Sequence, residues 1–378
     1  MLTQDFPPAV GGIETYSWEL ARRWVDALEH VVVLAPRQRD AARFDARAPF
    51  PVVRTRIPCD LLSVSARAAV MPIVRRHRID AVFSAQWQPT PSLLGLRSSG
   101  QIPRLFVAAH GRELLFAPFA AAAPIQNACD RLRSRVLREA DALFPVSRFT
   151  ADLISRVGGE RDRVFVVGNG TDPQRFTPGD GASFRRAYDL EGLPILLTVG
   201  RLVARKGIDD VLRALPRLLE RHPDLVYVIV GDGPDRGRLE GVVAEHGLRG
   251  AVRFLGRLDD DAVVEAFRAC DVFVTASRRQ GADVEGFGIV FLEANACERP
   301  VVGTRSGGIP DAIIDGETGL LVPEGDPAAL ADALVRLFDD PALRRALGRA
   351  GRARVLREAS WDVTATRILE RMRALAIN

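Results

Sequence analysis

One residue stands apart by type. Of the chain's 52 cationic residues, Lys206 is lysine and every other is arginine. It closes the run Gly200-Arg201-Leu202-Val203-Ala204-Arg205-Lys206-Gly207, after the apolar stretch Ile195 to Val199 and ahead of an apparent helix, Ile208 to Glu220. A chain that writes arginine nearly everywhere needs at 206 what arginine lacks, a compact ammonium rather than a broad planar fork. Arg201 emerges at the carboxyl edge of its strand, where doubly wound folds bind ligands. Two cations of different kind on one such loop suit a diphosphate, the guanidinium forking two oxygens and the ammonium acting as a point charge.

A second set reads Glu285-Gly286-Phe287-Gly288-Ile289-Val290-Phe291-Leu292-Glu293. Glycines at the mouth of a helix let an anion approach unpaired backbone amides and the positive end of the helix dipole, so this is a phosphate cradle in type. Glu285 before it and Glu293 inside it are spaced to contact different parts of one elongated ligand. Carboxylates beside an anion site are better suited to accept from hydroxyl groups than to meet phosphate. Gly231-Asp232-Gly233-Pro234 follows another strand, but Arg236 stands where a dinucleotide fingerprint needs its third glycine, and Phe254-Leu255-Gly256 ends the next strand without an acid. His110, after Leu105 to Ala109 and before Gly111-Arg112-Glu113, sits at the carboxyl edge of its own strand, whereas His77, His222 and His246 fall at helix ends and His30 just before a strand. No metal-binding pattern accompanies His110, and neither an HExxH nor a DxD pair after a strand occurs, so metal-free chemistry is expected.

These residues need an α/β frame. Short Val, Ile, Leu and Phe runs alternate with amphipathic stretches, the pattern of βα units around parallel sheets. Strands are expected at His30–Ala35, Val52–Ile57, Ala81–Ser84, Leu105–Ala109, Ala142–Val146 and Val164–Val167. In the second half they are expected at Ile195–Val199, Leu225–Val230, Val252–Leu255, Val272–Thr275, Pro300–Gly303 and Gly319–Val322. The 378 residues suit two domains. The turn-rich stretch from Gly168 to Gly181 marks the hinge, giving domains 1–170 and 171–360, with a last helix of about 361–378 expected to pack back on the first domain. The start, Met1-Leu2-Thr3-Gln4-Asp5, supplies only the last residues of a first strand, so a central strand should be short. A Gly11-Gly12 turn then opens a helix where the first βα loop belongs.

A composition of 47% hydrophobic and 26% charged residues is that of an ordinary globular protein and excludes a disordered or fibrous chain. The longest apolar run, Phe116 to Ile125, is broken by two prolines and is too short to span a bilayer. No secretory signal is evident. Four scattered cysteines, Cys59, Cys129, Cys270 and Cys297, suggest neither a disulfide framework nor a zinc ribbon, and a reducing cytoplasm fits them. Net charge is +4, but residues 1–170 carry 23 Arg against 16 acids, a surplus of +7 that leaves −3 for the rest. This is no nucleic-acid footprint, yet clustered it would favour an anionic membrane surface. Arg131, Arg133, Arg135 and Arg138, interleaved with Leu132, Val136 and Leu137, read either as a basic amphipathic surface for lipid or as a solvated helix packing its leucines inward. Arg75-Arg76-His77-Arg78 would add to such a patch.

Taken in order, the motifs resemble the retaining glycosyltransferases of family 4. They run from Phe6-Pro7-Pro8-Ala9-Val10-Gly11-Gly12-Ile13-Glu14 through His110-Gly111-Arg112-Glu113, Asn169-Gly170-Thr171-Asp172, Gly200-Arg201, Lys206-Gly207 and Gly231-Asp232-Gly233-Pro234. They continue through Glu285-Gly286-Phe287-Gly288, Glu293, Ser306-Gly307-Gly308-Ile309-Pro310-Asp311 and Gly319-Leu320-Leu321-Val322 to Trp361, so the resemblance covers nearly the whole chain. Position 311 is Asp where the family more often has Glu.

The resemblance implies the GT-B fold: two facing Rossmann-like doubly wound domains with a cleft between them, the first for the acceptor and the second for a nucleotide-sugar donor. It implies that Arg201 and Lys206 hold the donor diphosphate, Glu285 the sugar hydroxyls and Glu293 the ribose. Gly12 would bring backbone to the phosphates, with Gly286, Phe287, Gly288 and Ile289 forming the cradle. Leu258 and Asp260 would meet the base, and His110 the transferred sugar near its reacting carbon. His110 and Glu285 are thus the expected catalytic groups.

The implied reaction moves a hexose from a nucleoside diphosphate to a hydroxyl on a sugar, lipid or small molecule with retention, needing neither cofactor nor metal and no protein nucleophile. Asp283-Val284-Glu285-Gly286-Phe287-Gly288 is similar to bacterial mannosyltransferases acting on lipids and hints at GDP-mannose. The expected setting is cytoplasmic, with peripheral contact at an anionic membrane on the cytoplasmic face. Alternatives are a non-hydrolysing nucleotide-sugar epimerase of the same architecture and a non-catalytic nucleotide-sugar binder. A pyridoxal phosphate enzyme would need a Schiff-base lysine, and the single lysine is committed to phosphate.

Overall fold

A computed structural model of the chain describes residues 1–56, 62–102, 104–115 and 123–376. Ile57, Cys59 and residues 116–122 of the long apolar run lie outside the described residues. The chain forms two compact units, Met1–Asn169 with Trp361–Asn378, and Gly170–Ser360.

The second unit is built on six parallel strands: β6 (Ile195–Val199), β7 (Val226–Val230), β8 (Val252–Gly256), β9 (Val272–Val274), β10 (Val301–Thr304) and β11 (Gly319–Val322). Their order across the sheet is β11-β10-β9-β6-β7-β8. This is the doubly wound order whose direction of progression reverses at the β6/β9 pair, and ligands bind at the carboxyl ends of the strands flanking such a switch. Strands β7 and β9 read as continuous apolar runs because both faces are covered, while the edge strand β8 carries the exposed Arg253. The helix Ile208–Arg221 lays Val211, Leu212, Leu215 and Leu218 against one face, beside Leu196, Tyr227 and Ile229. Asp326 caps the helix Pro327–Asp339 by accepting from Ala329 N, and that helix adds Leu330, Leu334 and Leu337 to the same core.

The first unit has β1 (Val33–Pro36), β2 (Val52–Thr55), β3 (Ala81–Ser84), β4 (Arg104–Ala109) and β5 (Ala142–Pro145), in parallel pairs β1–β2, β3–β4 and β4–β5. Leu2 joins the two groups, bridging Leu34 on one side and Ser84 on the other. Its N–H donates to Phe83 O at 2.8 Å and its carbonyl accepts from Ala85 N at 2.9 Å. The short central strand expected at the start of the chain is therefore this Leu2 segment. The order β2-β1-Leu2-β3-β4-β5 repeats the logic of the second unit, with the switch at Leu2/β3.

One expected strand is corrected. Val164–Val167 makes a single bridge, Val164 to Leu143, while Phe165 N and Val167 N donate to Leu143 O and Pro145 O. The next rung would need an N–H from Pro145, which proline lacks, so the ladder stops there. The helix Trp361–Ala376 belongs to the first unit. Trp361 packs edge-on against Tyr16 at 6.1 Å between centroids, Trp24 Nε1 donates to Ala365 O at 3.1 Å, and Thr364 Oγ1 donates to Gly168 O at 3.0 Å. Among the described residues no helix is long and apolar enough to cross a membrane.

Candidate functional site

In the second unit the loops after β6 and β9 leave the sheet at its switch point. The β6 loop is pinned by backbone: Gly200 N donates to Val230 O, Leu202 N to Asp232 O and Asp235 N to Leu202 O, at 2.9 to 3.1 Å. Gly231, at φ +132°, lies so close that a Cβ there would overlap the Gly200 carbonyl. The Gly231-Asp232-Gly233 motif thus needs its glycines to let two backbones cross beside Arg201, which accounts for a fingerprint that lacks its third glycine.

At the centre is Glu285. Its Oε2 accepts from Lys206 Nζ at 2.5 Å and from Arg205 Nη1 at 2.7 Å. Burial alone would raise the Glu285 carboxyl, but the adjacent Lys206 and Arg205 overcome it and hold the group down at about 2. No described residue hydrogen-bonds to Oε1. The backbone of Glu285 is fixed as well, since its carbonyl accepts from Gly308 N at 2.9 Å. Gly307 makes that approach possible at φ +55°, where a Cβ would overlap the Glu285 carbonyl.

The expected turn from glycines into a helix is present. Gly288 adopts the left-handed conformation (φ 95°) and begins the helix Ile289–Ala296, whose first amides are those of Ile289 and Val290. Phe287 is buried, so its side chain belongs to the core and only its backbone can serve the cradle. Glu293, on the same helix, is half-buried and accepts no hydrogen bond from a described side chain. Burial pushes its carboxyl up to about 7; Arg175 nearby lowers it, Asp260 raises it and Lys206 lowers it. Glu285, Glu293, Lys206 and Asp260 are therefore brought together. Asp260 is exposed, in the first turn of the helix Asp260–Ala269, and its Oδ2 pairs with Arg175 at 3.3 Å. Leu258 is half-buried just before the capping residue Asp259. Arg201 is exposed and pairs with no described residue, unlike Lys206. Sequence reasoning missed Arg205 and Arg175, because arginine is so common in this chain that neither carries a compositional signal.

In the first unit, His110 follows β4. Its Nε2 lies 2.9 Å from Ala85 O, an acceptor only, so Nε2 carries the proton and Nδ1 is left to accept. Its ring stands edge-on to Tyr16 at 4.8 Å. Burial lowers the imidazole's pKa, while Glu113, the Ala85 carbonyl and Asp5 act in the opposite direction. Tyr16 lies on the helix Gly12–Trp24, so His110 and the Gly11-Gly12 turn share one edge of this unit. Gly12 is exposed with open space where a Cβ would be, whereas at Gly11 a Cβ would overlap the Glu14 carboxylate. The basic helix Ala123–Glu139 turns Val136 and Leu137 fully inward. Arg133 is itself buried and pairs with Asp130 at 2.7 Å, and Arg135 pairs with Glu139 at 2.7 Å. Arg131, Arg75, Arg76 and Arg78 remain exposed. Among the described residues no group of three or more His, Cys, Asp or Glu could hold a metal ion.

Two family models match this chain: Glycosyl transferases group 1 over residues 182–354 and Glycosyltransferase Family 4 over residues 10–175. Among solved structures, Anabaena HepE in complex with UDP superposes with a TM-score of 0.83 over 99% of both chains at 19% identity, a likeness of fold. A sucrose-phosphate synthase from Thermosynechococcus elongatus gives 0.80 at 26% identity, over 99% of this chain and 98% of that one. The GDP-mannose-dependent monoacylated alpha-(1-6)-phosphatidylinositol monomannoside mannosyltransferase of Corynebacterium glutamicum is 31% identical over 97% of this chain and 96% of that protein. The GDP-mannose-dependent alpha-(1-6)-phosphatidylinositol monomannoside mannosyltransferase of Mycolicibacterium smegmatis is 32% identical over 98% and 97%. The chain belongs to the GT-B glycosyltransferases. It is accordingly a transferase of nucleotide-sugar type, and neither the epimerase nor the binder alternative is favoured.

Two sets of variants test the site. Arg201→Ala and Lys206→Ala should each lower kcat on the order of 10²- to 10³-fold, the usual effect of removing one preorganised charge donor, with thermal melting unchanged in Arg201→Ala and lowered in Lys206→Ala, which takes one cation from the buried Glu285 carboxylate. Lys206→Arg should also be impaired, because a guanidinium is wider than the ammonium that fits against Glu285. Near wild-type turnover in these variants would remove both cations from the donor site.

Glu293 carries a pH signature. A carboxyl raised from 4.5 to about 7 contributes stability that is full below about 4.5 and lost as pH rises through about 7. Glu293→Gln should therefore melt higher than wild type at pH 8, the gap closing as pH falls towards 4.5, while the KM for the nucleotide sugar rises. Thermal melts across this range check the first, and steady-state kinetics the second.

Proposed function

We propose that the chain is a retaining, metal-independent α-mannosyltransferase that takes GDP-mannose and glycosylates a hydroxyl of a membrane lipid. The observation that carries the donor and acceptor classes is full-length similarity, above 30% identity, to enzymes named as GDP-mannose-dependent phosphatidylinositol monomannoside mannosyltransferases. The geometry supports the same reading. Arg201 and Lys206 supply positive charge to the diphosphate, and the amides of Ile289 and Val290 add the positive end of a helix. Gly286 and Gly288 let the phosphates approach the backbone. The open Oε1 of Glu285 accepts from hexose hydroxyls, Glu293 from the ribose, and Leu258 with Asp260 border the base.

As the C–O bond to the diphosphate breaks, charge develops on the departing oxygen, where fixed cations and amides stabilise it without reorganising. The acceptor hydroxyl forms the new bond on the face the diphosphate leaves, and its proton passes to that departing oxygen. His110 serves the transferred hexose as a neutral imidazole, its Nδ1 free to accept from a hydroxyl. Gly12 brings backbone to the phosphates. Protein cations do the work a divalent ion would otherwise do, so activity should survive excess EDTA, and the product from α-linked GDP-mannose should be an α-mannoside by NMR. Loss of activity on chelation that Mg²⁺ restores, or a β-linked product, would contradict the mechanism.

The acceptor's setting is peripheral, on the cytoplasmic face of an anionic membrane. Exposed Arg75, Arg76, Arg78 and Arg131 are the cations for that contact, since Arg133 is buried and Arg135 is paired. Co-sedimentation with anionic but not neutral vesicles, weakened by salt and by changing these four arginines to Ser, is the expected result. Equal partition to both vesicle types would favour an acceptor in free solution.

A further inference from the structure

Lys206 donates to Glu285, yet the reading proposed above needs both groups for different parts of one ligand. A diphosphate is a stronger partner for the ammonium than a single carboxylate. Once Lys206 turned to it, Glu285 would be a buried carboxylate next to phosphate, the arrangement that costs most when a partner is removed. A second cation already prevents this. Arg205 Nη1 holds Glu285 Oε2 at 2.7 Å, and its Nε lies 3.2 Å from Asp283 Oδ1, an ion pair without a hydrogen bond, so the guanidinium is paired with two carboxylates of the loop that carries Glu285. The Arg205 carbonyl accepts from Arg278 N at 2.8 Å. Arg278 in turn forks Asp210 at 2.5 Å and Asp209 at 2.9 Å at the start of the helix Ile208–Arg221. The loop bearing Lys206 and the loop bearing Glu285 are stitched together by two arginines, of which Arg205 alone touches Glu285.

We propose that Arg205 is a positioning residue for hexose recognition: it retains Glu285 through Oε2 when Lys206 engages the diphosphate, so that Oε1 stays aimed at the hexose hydroxyls. Arg205 touches no substrate in this account and acts through Glu285. The inference rests on the donor reading above and deepens it. Its signature is a change in how well the hexose is sensed relative to the nucleotide, which a residue that merely supports the fold would not produce.

The test is calorimetric titration of GDP and GDP-mannose into the full chain as wild type, Arg205→Gln and Arg205→Lys, with a thermal melt of each. GDP lacks the hexose. In Arg205→Gln the ratio of GDP-mannose affinity to GDP affinity should fall about tenfold from the wild-type ratio. Arg205→Lys keeps a cation beside Glu285 but loses the ion pair with Asp283, and should recover part of the ratio. Equal weakening of both ligands in the two variants would assign Arg205 to the phosphates or to the fold and overturn the inference, as would an unchanged ratio. A wild-type chain that binds neither ligand would overturn the donor reading and the inference with it. Wild-type binding of both with an unchanged ratio in Arg205→Gln would overturn the inference alone.

Discussion

The arrangement depends on one buried carboxylate shared by two cations. Glu285 is ionised in an environment that by burial alone would protonate it, because Lys206 and Arg205 both meet its Oε2. A buried charge stays in place only if its geometry is held closely, and the neighbouring structure does this from three directions. Gly308 N fixes the Glu285 carbonyl, the glycine at 307 admits that contact, and Arg278 ties the β9 loop to the helix after β6. The strand order then matters because it brings β6 and β9 side by side, so that residues 206 and 285, far apart in sequence, emerge from adjacent strand ends.

The same logic separates the two glutamates. Glu285 is held ionised by cations and is committed before a ligand arrives. Glu293, on the helix that follows, accepts no hydrogen bond from a described side chain, and burial raises its carboxyl to about 7. Two carboxylates on one short segment thus have opposite electrostatic settings, produced by a difference in partners. In the proposed donor site this unfavourable burial would lie where the ligand binds, the usual compromise between stability and function. The first unit shows a comparable restraint: His110 is locked by Ala85 into one tautomer and biased by burial towards the neutral form.

Much of this was legible in the sequence, and the reasons differ from element to element. The β6 and β11 strands, Ile195–Val199 and Gly319–Val322, are found at their expected limits, because strands covered on both faces are written as uninterrupted apolar runs bounded by turn residues. Val164–Val167 looks the same in sequence and fails as a strand because its partner offers Pro145 instead of a donor, a fact of pairing invisible in the segment itself. Lys206 was conspicuous as the single lysine. Arg205, one position earlier, also contacts Glu285, at 2.7 Å, but was hidden among fifty other arginines. The burial of Phe287 and Arg133 likewise depends on neighbours that spacing does not specify, although the inward turn of Val136 and Leu137 was one of the two readings their periodicity allowed.

The most direct test of the account is a crystal structure of the chain with intact GDP-mannose. The prediction is that Lys206 Nζ lies within hydrogen-bond distance of the diphosphate, Glu285 Oε1 accepts from a mannose hydroxyl, and Arg205 remains on Glu285 Oε2. A complex in which Lys206 still faces only Glu285 and the diphosphate is held elsewhere would contradict the central claim that this shared carboxylate organises donor recognition.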